Sequence, residues 1–140
     1  MLNLQTFVIL AGIAQVALAL GSLTIPRILN WKDKLAATNT LIRRMFWVYA
    51  GYIFVINLSS GLLSTFDSVE LANGSHLGTI ITGFIALYWI SRLLIQFFCF
   101  DRADFPKGKW NRFGELVLVS TFVFLSFVYI WAFISNYLIK

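Results

Sequence analysis

Three side chains in the stretch ALYWISRLLIQFFCFDR, residues 86–102, are of kinds that bind ligands: Tyr88, Arg92 and Gln96. They recur every four residues, so a helix sets them on one face as a polar stripe. An arginine inside so apolar a run is costly in hydrocarbon, roughly 2.5–3.5 kcal/mol on insertion scales, which favours an inward position or a polar cavity. There its planar fork of donors would hold an anionic group or a partner's carboxylate. The alternative is a side chain that reaches for lipid phosphates at the membrane surface. Counting helical turns from the basic side puts Gln15, Tyr52 and Thr121 at comparable depth, so Gln15 and Tyr52 join Arg92 as candidates for a polar core. Asn57 stands near the middle of its own apolar run, and it and Gln15 each need an internal hydrogen-bond partner.

Reactive residue types elsewhere are few and scattered. Cys99 is the single cysteine, which excludes an intramolecular disulfide and any multi-cysteine metal site. Arg102 nearby would favour its thiolate, but an inert cysteine among phenylalanines is the expected reading. Asp101 and Asp104 share a helical face and would suit a cation, yet four basic residues surround them, so local ion pairs are expected instead. Glu115 suits the start of a helix, where a carboxylate meets the positive end of the dipole. Asn73-Gly74-Ser75 matches a glycosylation acceptor and also a common turn dipeptide, and the turn is expected. The sole histidine, His76, adjoins it and is expected to be solvated. A lipid-directed enzyme would need an acid, base or nucleophile converging near the headgroups, and His76 lies on the opposite side from Asp101, Asp104 and Glu115. No catalytic residue, metal or cofactor is therefore expected.

The elements that must position these residues are four long apolar blocks. The chain has 140 residues, 59% hydrophobic and 12% charged, far from the quarter charged that is usual for soluble domains. Blocks at approximately 4–25, 45–66, 77–100 and 116–138 each reach the ~20 residues needed to cross hydrocarbon. They are too long for barrel strands and lack alternation, so they are helices. The expected fold is an all-α four-helix transmembrane bundle, a single membrane domain over 1–140 with short connectors. The first block lacks a basic n-region and is long for a signal peptide, so a retained helix ended by Pro26 is expected. Small residues such as Ala11, Gly12, Gly51 and Gly61 mark contact faces. The last block, rich in Phe and Val, is expected to face lipid or a partner.

The net charge of +5 sits almost wholly in two connectors, residues 26–44 and 101–115, which hold nine basic residues against Lys140 alone on the other side. This distribution predicts orientation and anionic-lipid contact, not nucleic acid. The basic connectors should face the cytoplasm of a bacterial inner or plasma membrane, with both termini outside. Trp31 and Leu35 fall near one face of the first connector, so an interfacial helix over 28–42 is expected, with Trp31, Lys32, Lys34, Arg43 and Arg44 at the headgroups. Two functions suit this plan: a non-enzymatic subunit or assembly factor of a larger membrane complex, with a protein partner or homo-oligomer, or a small oligomeric transporter of an anionic solute using Arg92.

Overall fold

Hydropathy accounts for four spans, and side-chain caps mark where α1 and α4 begin. The computed structural model describes residues 3–28, 30–98 and 108–139. Helix α1, Leu4–Ser22, starts at Asn3, whose side chain accepts from the Thr6 amide at 3.0 Å. A turn at Leu23–Thr24 leads into the short α2, Ile25–Ile28. Pro26 does not stop the first span as expected. It is the second residue of α2, where the missing N–H has no helical acceptor to lose. Asn30 follows with φ 51°, a left-handed value that breaks the chain before α3, Trp31–Ala36.

The interfacial helix expected over 28–42 is thus divided. α3 ends at Ala36, and α4, Thr40–Phe66, begins where the Asn39 side chain accepts from the Leu41 amide at 2.8 Å. Arg43 and Arg44 consequently belong to the first turn and a half of α4, below the expected start at 45. Ile28 and Ile42 are 65% and 56% exposed, while Trp31 and Leu35 are half-buried along one face of α3. The short α5, Ser68–Ala72, links α4 to α6, His76–Phe98. The last helix, α7, covers Lys109–Ile139. Glu115 was expected at its start but lies in its second turn, because polarity does not stop a helix once it has left the membrane.

Among the described residues, four helical stretches are long and apolar enough to cross a membrane: Leu4–Ile28, Thr40–Phe66, His76–Phe98 and Arg112–Ile139. They pair as antiparallel hairpins, α1 with α4 and α6 with α7, and α1 against α7 joins the two. α5 wedges beneath all four at the end away from the basic connectors, with Ser68 and Leu71 buried. The α1–α4 contact is set by two glycines. A Cβ on Gly12 would lie 2.7 Å from the Gly61 carbonyl, and one on Gly61 would lie 2.9 Å from the Gly12 carbonyl and the Val16 amide. Backbones meet there because nothing stands between them.

The last helix has two sides. Val123, Phe127, Ile134 and Tyr137 are exposed, as expected of a span that faces lipid or a partner over much of its surface, while 33% of its apolar stretch is buried, against 11% of that of α4. Phe122, Leu125, Val128, Tyr129, Ala132 and Asn136 recur at three- and four-residue steps and face α1, α5 and α6. Bulky residues build this centre because their neighbours supply the space; Phe133, for instance, packs over Gly83. At the end of α7, buried Asn136 accepts from the Gly74 amide at 3.0 Å and donates to the Leu71 carbonyl at 2.6 Å. It ties the α5–α6 turn, in which Gly74 has φ 79°, to the last span.

Candidate functional sites: a polar node and a lateral arginine

The face of α1 that carries Val8, Ala11 and Gly12 also carries Gln15, fully buried. Its amide nitrogen donates to the Tyr129 hydroxyl of α7. That hydroxyl also pairs with the Ser64 hydroxyl of α4 at 2.5 Å. Three spans therefore meet at one phenol, with no charge involved. Tyr129 and Ser64 are completely buried. The Gln15 carbonyl oxygen finds no acceptor-satisfying donor among the described residues, and neither does the Oδ1 of Asn57, two turns from Ser64 on the same face of α4. Ser126, one turn before Tyr129, has a buried hydroxyl in the same condition.

Arg92 lies elsewhere, on the α6–α7 pair. It is half-buried, with its guanidinium carbon 5.7 Å from the centre of the Phe122 ring. Trp89, 1% exposed, packs its ring 5.4 Å from the same Phe122, and Tyr88 meets Trp89 edge-on at 5.3 Å. The indole N–H of Trp89 and the hydroxyl of Tyr88 are buried without a partner among the described residues. Gln96, one turn nearer the basic end, is half-buried. The stripe of Tyr88, Arg92 and Gln96 exists, and it borders α7.

The polar core assembled from depth alone does not form. Gln15 pairs with Tyr129, not with Arg92. Tyr52 is 63% exposed on the outer side of α4. Five residues separate it from Asn57, which turns it about 140° away from the buried face. Equal depth does not mean equal azimuth. Thr121 bonds back to the Val117 carbonyl of its own helix at 2.7 Å. Asn57 is buried, though among the described residues its carbonyl lacks the internal partner expected for it. The residues missed were Ser64, Tyr129 and Asn136, each buried and each bonding across elements. The steps 122, 125, 129, 132 and 136 along α7 were the available signal.

At the basic end, Trp31 stands edge-on to Phe46 at 4.9 Å and Trp47 at 5.9 Å. Lys32, Lys34 and Arg44 are exposed, and Arg43 is half-buried. At the other end, the Asn73 side chain accepts from the Ser75 amide at 2.9 Å and donates to Glu70 at 3.0 Å, an Asx turn. His76 opens α6 and is exposed. Cys99, Asp101, Arg102 and Asp104 lie outside the described residues, and among those described no three His, Cys, Asp or Glu side chains gather.

The arrangement defines a class: an all-α, multi-pass integral membrane protein, consistent with a four-helix transmembrane bundle. No protein-family model, no curated protein and no solved structure matches the chain.

Proposed function

We propose that this chain is a non-enzymatic subunit or assembly factor of a larger membrane complex. The observation that supports the reading is the outer face of α4. Only 11% of that span is buried, and it presents the hydroxyls of Tyr49 and Tyr52, 56% and 63% exposed, together with Gly51, above which there is open space. Phenol groups and a glycine on a helix face suit a neighbouring helix better than lipid chains. In this reading the partner covers α4, and the basic connectors lie on anionic headgroups at the cytoplasmic face, leaving both termini outside.

A photo-crosslinker at Tyr52 in native membranes tests it. The expected result is a stoichiometric adduct with a larger membrane protein, retained on copurification in mild detergent, and none from a crosslinker at Phe84, which is 65% exposed on α6. Adducts only with a second copy, or a free monomer from native membranes, would sink the subunit reading. A second reading, transport of an anionic solute past Arg92 by an oligomer, is favoured by a half-buried guanidinium lying over the Phe122 ring inside a span. Flux of an anion into liposomes that disappears with Arg92→Leu is its expected signature.

A further inference from the structure

We infer that Asn73–Gly74 is a self-modifying site, a deamidation centre that Asn136 holds latched, whichever partner covers α4. An asparagine followed by glycine loses its side-chain amide when the next backbone nitrogen attacks its own Cγ. Much of that reaction is already arranged in the α5–α6 turn. Asn73 is exposed to solvent, and Gly74 has φ 79° and no side chain to hinder the approach. The Ser75 amide donates to Asn73 Oδ1 at 2.9 Å. The carbonyl is thereby polarised, with a donor standing where the oxyanion would form. Asn73 Nδ2 donates to Glu70 at 3.0 Å, which holds the side chain in this pose. The electrophile is set, but the nucleophile is not free.

The Gly74 N–H donates to Asn136 Oδ1 at 3.0 Å. Asn136 is fully buried, and its Nδ2 donates to the Leu71 carbonyl at 2.6 Å, so the acceptor cannot swing away. Attack requires loss of the Gly74 amide proton. That is also the first step of hydrogen exchange, which a hydrogen bond to a fixed acceptor suppresses. Once this bond opens, hydroxide from the aqueous phase at this end takes the proton, and the nitrogen bonds to Asn73 Cγ. The Cγ–Nδ2 bond then breaks, and the leaving nitrogen takes its proton from water and departs as ammonia. Water opens the cyclic imide at either carbonyl, giving aspartate, or isoaspartate with the backbone running through Cγ. Overall a water is consumed, ammonia is released and nothing is oxidised or reduced. The new carboxylate replaces a group that donated to Glu70, so two negative charges meet where a hydrogen bond stood. Isoaspartate also lengthens the turn that Asn136 spans. The modification is a lasting release of the α5–α6 turn from α7.

Peptide mass spectrometry on the full chain, incubated in nanodiscs of phosphatidylglycerol and phosphatidylcholine in mildly alkaline buffer, reads acid formation at Asn73. The folded wild type should convert about tenfold or more slowly than the same chain denatured. Asn136→Ala should speed conversion about tenfold, because the latch bond is gone. Leu125→Ala truncates a fully buried side chain of α7 about three turns away, and it should leave the rate near wild type. Size-exclusion chromatography checks folding, and should Asn136→Ala not fold, Asn136→Ser carries the comparison. A folded wild type that converts as fast as the denatured chain overturns the inference. So does a folded Asn136 variant as slow as wild type, or equal acceleration in Leu125→Ala.

Discussion

Tyr129 shows how one side chain can hold three helices without a charge. Its hydroxyl accepts a hydrogen bond from the Gln15 amide and shares another with the Ser64 hydroxyl, so removing it strands two buried groups at once. Leaving buried polar atoms unpaired costs about 1–3 kcal/mol. Tyr129→Phe should therefore lower the melting temperature in detergent more than Thr121→Val does, since Thr121 bonds only within its helix. The triple variant Gln15→Leu, Ser64→Ala, Tyr129→Phe should recover part of that loss in the same melt. The need of Gln15 for a partner is legible in the sequence, because an amide in hydrocarbon must bond. Its partner is not, being one aromatic among many and 114 positions away. Tyr52 fails for the complementary reason: its depth follows from counting, but its direction follows only from which face of α4 meets α1.

The four spans are legible because hydrocarbon thickness imposes a length, whereas their ends are not, because capping and polar extension obey local rules. α7 runs seven residues past the apolar start expected for it. Small residues mark the contact between α1 and α4. The buried side of α7 makes its contacts instead with large side chains that fill space left by others. Gly61→Leu should separate α1 from α4, since backbone atoms 2.9 Å from the new Cβ cannot step aside. Size-exclusion chromatography should then show loss of the monodisperse species. Gly51→Ala, in open space, should leave it unchanged. At the far end, Asn136→Leu removes two bonds to the α5–α6 turn, so amide exchange over residues 71–78 should rise about tenfold or more.

At the scale of the whole molecule, charge decides what packing leaves open. Nine basic residues at one end against Lys140 at the other predict that a reporter after residue 140 lies outside the cytoplasm and one within 30–40 lies inside. Labelling of a cysteine placed at Ser75 by an impermeant reagent in intact cells checks it; a label reached only from the cytoplasm would invert the assignment. The spans are also unequal. α7 has 31 residues and α6 has 23, about 46 Å against about 35 Å of helix. The additional turns of α7 are the polar ones before Leu116, and a helix whose apolar run exceeds the hydrocarbon thickness answers by tilting. Phe122, Tyr129 and Asn136 all ride on α7, so a tilt acts as a lever on three places together: the ring beneath Arg92, the junction with α1 and α4, and the turn before α6. Membrane thickness is thereby a mechanical input to this protein, felt through its longest helix.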